Sequence, residues 1–258
     1  MSWPPTPRTG LTTGTSPANV YLGCAGWTIP AAQTHAFAAG PSHLARYATR
    51  LPAVEINSSF YRPHRPATYG RWAATVAPGF QFAVKVPQTV THTRRLVDPA
   101  AVLDPFLAEC GALGSALGPL LVQLPPSLAF DACVVAAFLT LFRARFGGAL
   151  VCEPRHASWF TAEADGLLAT FQVARVAADP AVVPAAAQPG GWAGLAYYRL
   201  HGSPRIYYSA YDPATLTTLA ATLHATALAR PVWCIFDNTA AGAAQANALT
   251  VLAQLQAY

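Results

Sequence analysis

From Val20 onward, apolar runs of five or six residues alternate with longer alanine-rich runs that carry a helical period. Such alternation is the signature of repeated βα units, in which parallel strands joined by helical crossovers are buried on both faces. The expected strands are Val20–Cys24, Ala53–Asn57, Gln81–Val86, Pro119–Leu124, Ala149–Glu153, Val173–Ala177, Ala196–His201 and Val232–Asp237. The expected helices are Ser42–Arg50, Thr68–Val76, Pro99–Ala116, Asp131–Arg145, Thr161–Thr170, Pro213–Leu228 and Ala241–Ala257. Thr161 precedes Glu163 and Asp165 in a first turn, and Asp212-Pro213 supplies a cap followed by proline at the first helical position. Eight strands and seven helices predict an α/β chain with a single (βα)8 TIM-like barrel over residues 20–258. Between Asp179 and Gly194 proline and glycine replace any helical period, so an extended connection is expected in place of the sixth helix. An open doubly wound sheet is the alternative. It normally carries a glycine-rich phosphate loop after its first strand, and Gly23-Cys24-Ala25-Gly26-Trp27 is not GxGxxG.

Composition narrows the class. With 53% hydrophobic and 10% charged residues among 258, the chain is rich in core and poor in solvated surface. Residues 1–19 are rich in Pro, Thr, Gly and Ser and lack an apolar h-region, which predicts a flexible tail and no signal peptide. The five cysteines contain no CxxC, and Cys24, Cys152 and Cys234 fall in apolar strand runs. A reduced, cytoplasmic protein is expected. Uncharged stretches such as 110–130 are broken by Gly118, Pro119, Pro125 and Pro126, so no membrane span is expected. A net charge of +5 suits an anionic ligand, but the arginines are scattered, which gives a nucleic-acid partner only weak support.

One lysine stands out. Phe80 to His92 reads as a buried strand that ends on Lys85 and breaks at Pro87, and the chain has no other lysine. An ammonium differs from a guanidinium as a compact charge with a tunable pKa that can also act as a nucleophilic amine. A strand-end lysine that merely snorkels is the plainer alternative.

In a TIM barrel the C-terminal strand ends build the active site. Scarce ionisable and polar residues collect there: Glu55 and Asn57, Lys85 with His92 beyond it, Gln123, Glu153 with Arg155 and His156, Asp179, Arg199 and His201, and Asp237 with Asn238. Tyr61 and Trp159 lie in the expected loops of the same face and could stack on a base or a sugar. Each has a structural alternative: Glu55 pairing Lys85, Glu153 pairing Arg155 or Arg199, His201 as a satisfied core histidine, and Asp237 as a cap. No GxSxG, HExxH, Walker loop or zinc-type Cys/His spacing occurs.

Several stretches resemble the YecE-like family, a domain of unknown function (number seventy-two). They are Val54 to Tyr61, Phe82 to Lys85 with Thr91-His92 and Arg95-Leu96, and Gly118-Pro119 with Gln123 to Pro126. Glu153 to Trp159, Arg199 to Gly202, Phe236 to Asn238 and Ala246 to Ala248 complete the resemblance. The resemblance implies a TIM-like barrel similar to the endonuclease IV and xylose isomerase type, and it implies no activity. Two departures are visible: Pro154 stands where the family carries an aromatic residue, and Cys24-Ala25 replaces hydroxyls in the first loop.

These readings converge on an enzyme, a hydrolase or isomerase, that binds a phosphorylated, sugar-like or nucleotide substrate. Glu55, Lys85, Glu153, His156 and His201 are the expected catalytic residues, with Glu55 and Glu153 as acid and base. Asn57, Tyr61, His92, Gln123, Arg155, Trp159, Asp179, Arg199, Asp237 and Asn238 are the expected substrate contacts. No cofactor is expected, although Glu153, His156, His201 and Asp237 are ligand types for a divalent metal. A non-catalytic ligand- or nucleic-acid-binding module and a metal-dependent, endonuclease IV-like phosphoesterase stand as alternatives.

Overall fold

The computed structural model describes residues 19–258. The tail expected over residues 1–19 therefore lies outside the described residues, Asn19 excepted. The apolar runs form β1 (Val20–Cys24), β2 (Ala53–Ile56), β3 (Gln81–Lys85), β4 (Leu117–Gln123), β5 (Leu150–Glu153), β9 (Ala196–Leu200) and β10 (Val232–Phe236). The sixth expected strand is two short pieces, β6 (Val173–Arg175) and β7 (Ala177–Asp179). The connection over residues 179–194 holds no α-helix; it contains a 3-10 turn, Pro184–Ala187, and a two-residue strand, β8 (Gly190–Gly191).

The helices are α1 (His43–Tyr47), α2 (Ser58–Tyr61), α3 (Pro66–Thr75), α4 (Ala100–Cys110), α5 (Ala132–Arg143), α6 (Ala162–Thr170), α7 (Pro213–Ala227) and α8 (Ala243–Leu255). Their starts follow the capping chemistry. The side chains of Asp131, Thr161 and Asp212 accept from Val134 N (3.0 Å), Ala164 N (3.2 Å) and Thr215 N (2.8 Å), satisfying donors that a helix start leaves bare. The helix expected over 99–116 stops at Cys110 and tightens into a 3-10 stretch, Gly111–Ala116, where Gly114 takes a positive φ of 58°. No helix among the described residues is long and apolar enough to cross a membrane. All five cysteines are free.

The strands pair into two sheets, ordered β1-β10-β9-β7 and β2-β3-β4-β5-β6-β8. Every ladder is parallel except the short β6–β8 pair. The sheets meet at two seams. At the first, β6 and β7 are separated only by Val176, whose N–H donates to Cys152 O at 2.8 Å. At the second, β1 and β2 share a single bridge, Ala25 to Glu55, and Gly26 N donates to Glu55 O at 2.9 Å.

Below that bridge Tyr47 of α1 stands in for the missing ladder. Its hydroxyl accepts from Cys24 N at 2.8 Å and donates to Ala53 O at 2.9 Å, so the facing backbone groups are both satisfied. Gly23 makes this approach sterically feasible, because a Cβ there would lie 2.1 Å from Ala53 O.

Side chains alternate between two cores, as the two-residue strand period requires. The larger core lies between strands and helices and includes Leu22, Val54, Phe82, Val122, Cys152, Tyr198 and Phe236. The smaller core is drawn from both sheets: Ala53, Ala83, Leu121, Val151, Ala174, Tyr197, Trp233 and Ile235. This second core determines which residues face the candidate site.

Candidate active site

On five strands, the residue two positions beyond a member of the small core is charged. Ala53 is followed by Glu55, Ala83 by Lys85, Val151 by Glu153, Tyr197 by Arg199 and Ile235 by Asp237. Residues i and i+2 of a strand share a face, so these side chains form a layer above the small apolar core, at the C-terminal strand ends. All five are buried.

Arg199, 1% exposed, is the hub of the layer. Its Nε donates to Glu55 Oε1 (3.1 Å) and Oε2 (3.0 Å), and its Nη2 to Glu55 Oε1 (2.6 Å). Its Nη1 donates to Glu153 Oε2 at 3.0 Å, and Nη2 also lies 3.0 Å from Asp237 Oδ2. Burial opposes the guanidinium charge, but Asp237, Glu55 and Glu153 outweigh it and hold Arg199 protonated. The Tyr197 hydroxyl completes the Glu55 shell, donating to Oε2 at 2.8 Å.

His201 bridges the other two acids. Its Nδ1 lies 2.9 Å from Asp237 Oδ2 and its Nε2 2.8 Å from Glu153 Oε1. Arg155 Nη2 approaches the same Glu153 oxygen at 2.7 Å and stands 2.7 Å from His201 Nε2, so Oε1 is the acceptor both donors share. Burial would raise the Glu153 carboxyl, yet Arg199, Arg155 and His201 hold it well below the usual carboxylate range. For Asp237 burial is likewise overridden, by Arg199, His201 and Lys85. Asn57 Nδ2 reaches Asp237 Oδ1 at 3.5 Å, while Asn57 Oδ1 is enclosed with no partner.

Lys85, 6% exposed, belongs to this layer but not to its ion pairs. Among the described residues no carboxylate oxygen lies within 4.0 Å of Nζ, and Nζ makes no hydrogen bond. It rests instead over the Phe60 ring, 4.0 Å from the centroid. The Ser59 hydroxyl donates to Lys85 O at 2.7 Å and to Ile56 O at 3.1 Å, which fixes α2 against the end of β3. Burial and the Arg199 charge lower the Lys85 ammonium to about 8 against the opposing pull of Glu55, Glu153 and Asp237. His92 meets the Phe60 ring edge-on at 5.0 Å, and burial together with Lys85 lowers its pKa.

The geometry therefore gathers Glu55, Asn57, Lys85, Glu153, Arg155, Arg199, His201 and Asp237, with His92 one ring away. Glu55 and Glu153, expected as acid and base, have their oxygens occupied by Arg199, Tyr197, Arg155 and His201. Those contacts fill four acceptor positions on Glu55 and three on Glu153, where Oε2 accepts only from Arg199 among the described residues.

Other expected residues find local work. His156 caps the turn at Ala157–Trp159, with Nδ1 2.9 Å from Ser158 Oγ. Trp159 is buried and donates to Leu128 O at 2.9 Å. Asp179 accepts from the Tyr211 hydroxyl at 2.6 Å, and Asn238 donates to Asn247 Oδ1 at 2.8 Å and Ser209 O at 2.9 Å. Tyr61 is 70% exposed and packs edge-on against Phe60, and Gln123 ends β4 half-buried. An open groove of about 320 Å³ lies apart from the charged layer, lined by Arg94, Arg95, Leu128, Asp131, Val134 and Trp159 among others.

Sequence reasoning did not assign Tyr197, although it lies two positions before Arg199 and so had to share its face. Nor did it seat Phe60 beneath the ammonium. For metal, no group of three or more His, Cys, Asp or Glu among the described residues is arranged to hold an ion. Glu153, His201 and Asp237 direct their polar atoms at Arg199, Arg155 and one another, so this donor set does not fit a dication.

A family model described as "Protein of unknown function DUF72" matches residues 21–258. No curated protein matches the chain. Among solved structures, a DUF72 family protein of Thermotoga maritima superposes with a TM-score of 0.76 at 23% identity, over 92% of this chain and 99% of that one. Two crystal structures of a DUF72 family protein of Enterococcus faecalis superpose with TM-scores of 0.76 and 0.74 at 20% and 22% identity. Each covers 92% of this chain and 95% and 97% of its own. At these identities the likeness is one of fold.

Proposed function

The chain belongs to the DUF72 family, and from that premise we propose that it is an enzyme whose C-terminal strand ends hold a small anionic substrate, phosphorylated or sugar-like. One observation carries the reading. In a layer with three buried carboxylates, Lys85 has none of them within 4.0 Å, so its charge is left for a ligand. Arg155 supports it: half-buried at the rim, its Nε is enclosed and has no partner. Arg199, Glu55, Tyr197 and His201, whose two ring nitrogens meet Asp237 and Glu153, form the rigid floor, and Lys85 is the group placed to move protons. A buried unpaired ammonium is costly, and such groups collect at functional sites.

The same proposal takes the two sheets as one ring, a (βα)8 TIM-like barrel in a single domain over residues 20–258. The Val176 junction, the Ala25–Glu55 bridge and the core drawn from both sheets support it. The free cysteines support a reducing, cytoplasmic setting.

Calorimetric titration with inorganic phosphate at low ionic strength, beside a turnover screen of phosphoesters and sugar phosphates, tests the reading. Binding that falls at least about tenfold in Lys85→Ala and Arg155→Gln is expected, the loss of a charge-assisted contact. Phosphate affinity indifferent to both substitutions would sink it. Binding without any turnover would favour the ligand-binding module.

A further inference from the structure

Resting on the anion site just described, we propose that Lys85 is a covalent nucleophile whose Nζ forms a Schiff base with a small anionic aldehyde or ketone, the anionic group lying against Arg155. Four observations lead there. An ammonium kept only for charge could be an arginine, as the other 15 of the chain's 16 long basic residues are. A guanidinium stays protonated, whereas an amine can shed its proton and attack a carbonyl. Secondly, Nζ donates to no acceptor and lies on the Phe60 ring, so nothing engages its lone pair once it is neutral. Thirdly, Ser59 pins the Lys85 carbonyl at 2.7 Å, so the amine projects from a fixed strand end. Lastly, Lys85 keeps 6% exposure and Nζ is not among the fully enclosed unpartnered polar atoms.

Burial and Arg199 act in the same direction, since an ammonium lowered to about 8 leaves roughly a tenth of the amine neutral at pH 7. The step balances without any oxidant or reductant. The nitrogen lone pair forms the C–N bond as the carbonyl π pair moves to oxygen. Both amine hydrogens then leave with that oxygen as water, and the C=N bond closes.

The single lysine makes the test unambiguous, because the only other primary amine is the chain's α-amino group. The full-length protein is incubated with pyridoxal 5′-phosphate, an anionic aldehyde, reduced with sodium borohydride, and mapped by peptide mass. We expect one adduct on Lys85, formed at least about tenfold faster at pH 7 than on free Nα-acetyl-lysine amide, as desolvated amines react. Arg155→Gln should slow it, and uncharged benzaldehyde should lose the advantage. Lys85→Arg and Lys85→Met, checked for native circular dichroism, should label only the α-amino group. A Lys85 rate no faster than the free amide overturns the proposal. Phosphate calorimetry on the same samples separates the two readings: phosphate bound with no Lys85 adduct would leave the anion site standing and remove the nucleophile. Rapid adduct formation without phosphate binding would do the reverse.

Discussion

Lys85 and Arg199 are buried cations in one layer with opposite bookkeeping. Arg199 meets three carboxylates in geometry that only a planar fork supplies, so its charge is held. Lys85 has no such partner, and its charge costs stability. Below about pH 8 folded and unfolded chains both carry the Lys85 charge, and the folded chain bears the full penalty. Between about 8 and the ordinary 10.5 the folded chain has lost the proton and the unfolded chain keeps it, so this group makes stability rise with pH. Burial and then Arg199 open that window against the pull of Glu55, Glu153 and Asp237, with Phe60 beneath and His92 beyond the ring. Lys85→Met should therefore be more stable than the parent at pH 7 by on the order of 3 kcal/mol, an advantage that closes as pH rises toward 10.5. Denaturant unfolding of both proteins at pH 7 and pH 10 measures it; equal stability at pH 7 would mean that the ammonium is not strained. At this scale the sequence was informative about Lys85, because uniqueness needs no coordinates. It offered Arg199 as a strand-end arginine and a possible partner of Glu153, but not as the hub, which only the distances to Glu55 and Asp237 reveal.

Most strands were legible to within a residue or two, since short apolar runs between helical periods leave few other readings, although the sixth is two pieces. Elements shorter than a period were not. The four-residue α2 and the π-turn at Thr89–Thr93 seat Phe60 and His92, yet neither is long enough to show a pattern. The β1–β2 seam was equally hidden, because its hydrogen bonds run through a side chain of α1. Tyr47 is buried, and burial and the Cys24 side chain push its phenol well above the ordinary value against the lowering effect of the Cys24 N–H, so it stays a neutral donor and acceptor. Tyr47→Phe keeps the ring and removes only the bridge, leaving Cys24 N–H and Ala53 C=O bare in the interior. A loss of about 1–3 kcal/mol for each group is expected. Urea unfolding reads the sum, and amide exchange at Cys24 should accelerate selectively. A change below about 0.5 kcal/mol, the range of neutral surface substitutions, would show that packing and the Gly26–Glu55 bond hold the seam without Tyr47.

Across the whole molecule the charge balance means something different from what its total suggests. A net charge of +5 invites a polyanion, but many of the arginines point at the protein's own carbonyls. Arg143 donates to Phe146, Gly148, Phe171 and Gln172, Arg50 to Ala36, Arg46 to Thr34 and Ala38, and Arg230 to Ala193. Arg175 closes on Asp165 and the 185–188 turn, and Arg145 on Asp104. These guanidinium groups staple loops and crossovers to one another, so they are scattered along the connections. Nucleic-acid affinity depends on many phosphates neutralised together, each adding about −0.9 to the slope of log K against log salt on duplex DNA. A chain whose arginines are committed internally can offer few, so a slope shallower than about −2 is expected. Fluorescence anisotropy with single- and double-stranded oligonucleotides between about 50 and 200 mM salt measures it, the span over which a protein with six to ten contacts loses about 10³–10⁵ in affinity. Tight binding with that steep loss would place a polyanion on this surface and displace the small anion from the centre of the functional reading. A flat response alongside phosphate binding that depends on Lys85 would leave the anion at the strand ends.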